Sequence, residues 1–543
     1  MTTSRPRAAR FGIGIGIGAA LAVTAGIAPA AAVDPADLEE RVTVDAVVGH
    51  LQQLQDIADA NGGNRAAGTS GYEASAVYIE QALTAAGYTP ERQYFDADLQ
   101  TIDAYTLTID GFATSDPIGI PMEFTPSTPA GGLTDLPLVT PAAPLGCTAD
   151  DWAGVDAAGA IALVSRGSCS FAEKSAAAAA AGAEAVIVYN NEPGPLEGTL
   201  GAQTPELAPT VGILQSEGED LLAALANGPV LADLDLQQHI DSVETFNILA
   251  DTPTGRDDNV VMLGAHLDSV EDGPGINDNG SGSAAILEIA LQLAASGELE
   301  NTVRFAWWGA EEIGLLGSAH YVDDLYETGG DAALGTIATY LNFDMVASPN
   351  YVIAVYDADQ STYEAPVEVP EGSIATEAAF TSYFDAIGQP WIDTAFDARS
   401  DYNAFILAGI PASGLFTGAD DVKTAEQVAL FGGTEGIIMD PNYHTPADDM
   451  SNINTEALGI MLGAMASVTA SLANDTSAVN GVAPIVDPAP AAPVPAPEVT
   501  EEGAHLLAAS GSEISGAWIG GGVLALLVGG VVMAAAARRR RTV

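Results

Sequence analysis

Apolar residues recur at Val47, Val48, Leu51, Leu54 and Ile57, close to the spacing of one helical face. Together with the stretch that follows, they predict two amphipathic helices between Val42 and Tyr88. A polar loop, Asn61-Gly62-Gly63-Asn64-Arg65, separates them. From about residue 112 to 240 the pattern turns to short strand-like runs, Pro/Gly turns and one alanine-rich helix. Continuous apolar runs return at Asn247 to Ala250, Val260 to Gly264, Thr302 to Trp308 and Ile337 to Phe343. They alternate with helical patterns as far as about 473. That order predicts an α/β fold with a mixed, mainly parallel sheet flanked by helices. No repeat of solenoid length interrupts it.

The two ends read differently. Arg5, Arg7 and Arg10 precede an apolar run from Phe11 to Ile27 and the small residues Ala28-Pro29-Ala30-Ala31-Ala32. This is the order of a secretory signal, so residues 1–32 are expected to be removed on export. Residues 476–506 form a Pro/Ala-rich linker that favours extended conformations. Residues 516–537 carry no charge, and at ~1.5 Å per residue a helix there spans the roughly 30 Å hydrocarbon core. The tail 538–543 opens with four arginines, a cytoplasmic stop. Leu507-Ala508-Ala509-Ser510-Gly511, just upstream, resembles a sortase sorting signal with serine where threonine is more usual. Either sortase is a partner and joins the chain to the cell wall, or the helix stays as a membrane anchor. Both routes place the chain outside the cell.

Sixteen basic residues against 73 acidic ones give a formal charge of −57 over 543 residues. Such a surface repels nucleic acid, which is excluded as a partner. The charge serves solubility on one reading, and attraction of cations and free amines on the other. The two cysteines, Cys147 and Cys169, predict one disulfide in an exported chain.

The chemistry gathers at strand ends. Val260 to Gly264 runs into Ala265-His266-Leu267-Asp268, and the Gly-rich loop Pro274 to Gly282 carries Asp278 before opening a helix. Thr302 to Trp308 runs into Gly309-Ala310-Glu311-Glu312, Ile337 to Phe343 ends at Asp344, and Asp440 to His444 is a polar loop. Any one of these acids reads as a cap or turn residue. Four consecutive strand-to-loop junctions each deliver an acid or histidine, and His444 completes the set. Two imidazoles and three carboxylates suit zinc.

On these residues the chain resembles the co-catalytic di-zinc exopeptidases, specifically secreted bacterial aminopeptidases of aminopeptidase-S type. The matching stretches are 61–68 with Gly71-Tyr72, 266–282, 304–317, 341–349, 399–402 and 409–418. They lie in a peptidase domain of residues 33–111 and 241–475. The resemblance implies two zinc ions per chain, with His266 and Asp344 on one, Glu312 and His444 on the other, and Asp278 between them. It makes Glu311 the general base, Tyr443 the oxyanion partner, and Asp268 the group that orients His266. Arg399 and Phe416 are expected to line a pocket for an apolar first side chain. Substrates are peptides or proteins with a free N-terminus. The family often brackets this Tyr-His pair with a disulfide, but here Asn442 and Ala447 flank it. Calcium ligands carried by some relatives find no match.

Residues 112–240 resemble an inserted β-rich protease-associated domain, through Gly159 to Phe171 and Ala180 to Asn190. Such an insert is a lid over the site or a passive spacer. Two other readings compete with the aminopeptidase. A carboxypeptidase needs a cation for the terminal carboxylate, and residues 241–475 hold Arg256 in a turn, Arg304 in a core strand, Arg399 and Lys423. A non-catalytic surface binding protein has no use for five intact ligands, and a one-zinc glutaminyl cyclase needs fewer.

Overall fold

The computed structural model describes residues 32–485 apart from 113–117, 193 and 197. The expected signal peptide up to residue 31, the sorting-like motif, the membrane-spanning segment and the basic tail lie outside the described residues, as does the linker beyond 485. The expected start of that linker is not extended but forms the short helix Ser477–Asn480, with Val479 buried and Asn480 bonded to Asn259.

The two predicted helices are Val44–Ala60 and Ser70–Ala86. Thr43 and Thr69 cap them, each side-chain oxygen accepting from a backbone N–H in the first turn. Val47, Leu51, Leu54 and Ala58 are buried on one face of the first. The loop between the helices holds Arg65, which is fully buried.

The peptidase sheet runs in the order Ile392–Thr394, Ala354–Tyr356, Ala412–Phe416, Ile337–Phe343, Arg256–His266, Asn301–Trp308, Leu231–Asp251 and Glu91–Ile109. Its centre is parallel: Ile337–Phe343 pairs in parallel with both Ala412–Phe416 and Arg256–His266, and the latter with Asn301–Trp308. These strands are almost wholly buried, which explains the unbroken apolar runs. One core, with Trp307, Phe343 and Leu458, covers one face. A second, with Trp308, Tyr340 and Phe405, covers the other. The helix Thr455–Asn474 is apolar enough to cross a membrane, but it is mostly buried in the first core.

The insert is joined through sheet structure rather than through loops. Glu91–Ile109 and Leu231–Asp251 form one long antiparallel ladder, with a register shift between Ile102 and Ala104. Leu231–Asp251 therefore crosses the expected boundary at 240. Its outer end pairs with Leu133–Val139, which leads to parallel strands Ile161–Ser165, Ala185–Tyr189 and Thr210–Ile213. The alanine-rich helix is Phe171–Ala180, opened by a Ser170/Glu173 capping box. Cys147 and Cys169 are disulfide-bonded, as expected. Arg256 was expected in a turn, but it opens the strand Arg256–His266 because its N–H donates to the Glu300 carbonyl.

Parallel strands present their C-terminal ends together, and here these are His266, Trp308 and Phe343. Gly282 starts the helix that packs behind them. A Cβ at this position would overlap the Phe343 carbonyl oxygen, one residue before Asp344. Gly282→Ala is therefore expected to lose about 1–3 kcal/mol of stability by overpacking, with at least a tenfold loss of turnover. Urea unfolding and peptide-amide hydrolysis measure the two.

Candidate metal centre

Each strand end contributes one or two side chains to a single point. His266 is the last residue of its strand and is 1% exposed. Its Nε2 lies 3.1 Å from Asp278 Oδ1, 3.3 Å from Asp344 Oδ1 and 3.9 Å from Glu311 Oε2. His444 approaches from the opposite side, its Nε2 being 3.3 Å from Asp278 Oδ2 and 3.0 Å from Glu312 Oε2. One oxygen of Asp278 thus faces each imidazole. Ligand atoms of His266, Asp278 and Glu312 lie within 4.8 Å of one another, and so do those of His266, Glu311 and Asp344. The five residues expected as metal ligands, together with Glu311, surround one small volume.

The electrostatics of that volume call for positive charge. Burial pushes Glu312 up to about 7, helped by Asp278, and pushes Glu311 well above the carboxylate range. Burial also acts to raise Asp278, but hydrogen bonds from His266 and His444 hold it below the usual range. His266 is raised despite burial, chiefly by Glu311 and Asp344. Glu312 Oε1 and Asp344 Oδ1 are buried with no hydrogen-bond partner. Oxygen atoms left this way at a cluster of acids and imidazoles fit divalent zinc.

Supporting groups hold the cluster from behind. His266 Nδ1 lies 3.0 Å from the main-chain oxygen of Asp268, whereas the Asp268 carboxylate is 3.7 Å away. That carboxylate accepts instead from the backbone N–H groups of Glu311 and Glu312, at 3.3 Å each. Asp268 therefore orients the ring through its carbonyl and braces the Glu311-Glu312 turn with its side chain. Ala310, Met345 and His444 all have positive φ, so the backbone is strained beside Glu311 and Asp344 and at His444 itself.

Tyr443 stacks on the His444 ring, with centroids 3.8 Å apart, and burial raises its hydroxyl above the ordinary range. Arg399 is half exposed and pairs with Asp420 at 2.9 Å, close enough for its charge to act on Tyr443. Phe416 is half buried against the main core; strand register places it level with Asp344.

Several polar residues were not singled out from the sequence. Ser400 Oγ donates to Asp344 Oδ2 at 2.7 Å and accepts from Asn342 Nδ2 at 2.8 Å. Asp448 accepts from the N–H groups of Asn277 and Asp278. Asn277 Nδ2 donates to Asp440 at 2.6 Å, while Asn452 Nδ2 reaches both Asp440 and Asp448. Asn442, beside the Tyr443-His444 pair, donates through Nδ2 to Asn452 Oδ1. Hydrogen bonds thus fasten the His444 loop to the Asp278 loop without a disulfide. Ser400 lay inside a stretch already matched to the family, so its signal was present. The aspartates lay in loops where acids are unremarkable. A separate acid group, Asp357, Asp359 and Glu377, accepts backbone N–H groups of its own loop. Those bonds account for its shape.

The profile of Peptidase family M28 matches residues 247–469, and that of the PA domain matches residues 134–221. A probable lipoprotein aminopeptidase, LpqL of Mycobacterium tuberculosis, is 44% identical over 466 residues, covering 84% of this chain and 91% of that protein. Leucine aminopeptidase 2 of Arthroderma otae is 41% identical, covering 81% and 86%. Among solved structures, the aminopeptidase from Aneurinibacillus sp. strain AM-1 superposes with a TM-score of 0.65 at 28% identity, covering 84% of this chain and 98% of that one. BSAP, a zinc aminopeptidase from Bacillus subtilis, gives 0.56 at 28% identity, covering 79% and 95%. With its acids and imidazoles converged at the strand ends and a PA domain spliced into the sheet, the chain belongs to peptidase family M28, among the zinc aminopeptidases.

Proposed function

We propose that this chain is an extracellular aminopeptidase that removes apolar N-terminal residues from peptides, using two zinc ions that His266, Asp278, Glu312, Asp344 and His444 would hold. The observation that carries the reading is the Asp278 carboxylate, whose two oxygens face two different imidazoles at 3.1 and 3.3 Å. His266 and Asp344 would hold one ion, Glu312 and His444 the other. When bound, such a pair supplies an activated water and polarises the scissile carbonyl.

The remaining work falls to the chain's own groups. Glu311 sits beside both His266 and Asp344 but next in sequence to Glu312, so it reaches the reacting volume without being needed as a ligand. It would take the proton of the attacking water and deliver it to the leaving amine. Its burial raises its proton affinity, and positive charge in the pocket would bring that back into the working range. Tyr443, raised well away from ionisation, would donate to the developing oxyanion. Arg399 and Phe416 would border the pocket of the first side chain.

The acidic surroundings favour a substrate that brings its own ammonium group. A carboxypeptidase would instead need a cation for the terminal carboxylate. Arg304 is engaged by both oxygens of Asp251, and Lys423 by the carbonyls of Asn350 and Tyr351. Arg256 pairs with Asp258, and Arg399 with Asp420. The five intact ligand candidates likewise argue against a non-catalytic binding protein.

For location, the signal-like first 32 residues and the likeness to LpqL, a probable lipoprotein aminopeptidase, support an exported, surface-held enzyme. Wall attachment by a sortase after Ser510 is the route the Leu507 to Gly511 motif favours.

Two measurements test the reading. A leucyl chromogenic amide should be hydrolysed, its N-acetylated form should not, and chelation should abolish activity that zinc restores; equal cleavage of both amides would contradict it. Glu311→Gln should retain zinc while turnover falls about 100- to 10,000-fold, and near-normal turnover would remove Glu311 from the mechanism.

A further inference from the structure

We propose that Arg65 is a positioning residue of the metal centre, whose guanidinium fork sets the two loops that present His266 and Asp278. It is the only arginine buried among the described residues, at 0% exposure. It sits in the Asn61 to Thr69 loop between the helices Val44–Ala60 and Ser70–Ala86, about 200 residues away in sequence from the groups it serves.

Every guanidinium hydrogen bond goes to a main-chain carbonyl of those two loops. Nε donates to the Pro274 oxygen at 2.9 Å, Nη2 to Gly275 at 2.5 Å, and Nη1 to Leu267. Leu267 follows His266 directly, and Gly275, with φ 60°, caps the turn Ile276–Ser281 that carries Asp278. The backbone N–H of Arg65 donates to Ser269 Oγ at 2.9 Å, and that hydroxyl lies 3.0 Å from the Gly273 carbonyl. One residue thus ties together the segments 267–269 and 273–275.

A buried guanidinium normally takes a carboxylate partner. Here four acids, Asp268, Asp448, Asp278 and Glu312, act on Arg65 electrostatically, and they oppose the burial that pulls its proton affinity down to about 10. None of its hydrogen bonds goes to any of them. At neutral pH the side chain is therefore a fixed cation that leaves the carboxylate oxygens available to a metal. Only a planar fork matches three carbonyls at once; lysine carries the charge without that geometry.

The inference rests on the metal-centre reading, so its test measures zinc rather than turnover. Zinc affinity of the wild-type chain, Arg65→Lys, Arg65→Gln and the control Arg304→Gln would be measured by competition with a chromogenic chelator. Melting of the zinc-loaded forms would be followed alongside. Both Arg65 variants should melt cooperatively and bind zinc at least tenfold more weakly, in the range seen when groups behind a metal ligand are removed. Arg304→Gln, whose arginine pairs with Asp251 on the sheet, should keep wild-type affinity. Wild-type affinity in either Arg65 variant would overturn the inference, as would equal weakening in Arg304→Gln. Failure of both Arg65 variants to fold would also overturn it, since Arg65 would then serve the fold at large. A wild-type chain that binds no zinc would instead defeat the metal-centre reading itself.

Discussion

Carboxylates crowded into a dry pocket repel one another, and the centre of this protein is built around that repulsion. Asp278, Glu311, Glu312 and Asp344 meet with two imidazoles at the end of the sheet, and all four acid side chains are largely buried. Burial drives two of these acids toward keeping their protons, while Asp278 is held ionised by the two rings. Such an arrangement is costly in the absence of added positive charge. Much of the surrounding structure can be understood as holding acids where they would not otherwise stay. Asp268 braces the turn of Glu311 and Glu312, Ser400 holds Asp344, and the Asp440–Asp448–Asn452 network locks the Asp278 and His444 loops together.

The fold supplies the convergence. Three adjacent parallel strands end at His266, Trp308 and Phe343, so the residues that follow arrive side by side without long excursions. Their rigidity comes from complete burial between two aromatic-rich cores. The same sheet continues through Leu231–Asp251 into the inserted domain, so the insert is held by a ladder of main-chain hydrogen bonds. A pair of flexible linkers would have left it free to move.

The elements that could be read in the sequence were those whose signal is local. Strands buried on both faces give continuous apolar runs, and all four of those expected in the peptidase domain are strands in the structure. Three of them are paired in parallel, and the run at 247–250 lies in the antiparallel Leu231–Asp251. The helices Val44–Ala60 and Ser70–Ala86 followed from apolar spacing and a Gly-rich break. The acids and histidines at strand ends were legible because their positions relative to the strands are themselves local. What escaped was non-local. The partners of Arg65 lie some 200 residues away, and those of Asp448 about 170. A buried arginine in a polar loop looks in sequence like any solvated one. The boundary near 240 was hidden for another reason. Leu231–Asp251 alternates polar and apolar residues where one face is exposed, and so it looks like the end of a domain rather than a strand crossing into one.

The most direct test of the central claim is anomalous scattering at the zinc edge from crystals of the enzyme. Two peaks are predicted, roughly 3.5–4 Å apart, with one between His266 and Asp344, the other between Glu312 and His444, and Asp278 touching both. A single peak, or none near Asp278, would contradict the account.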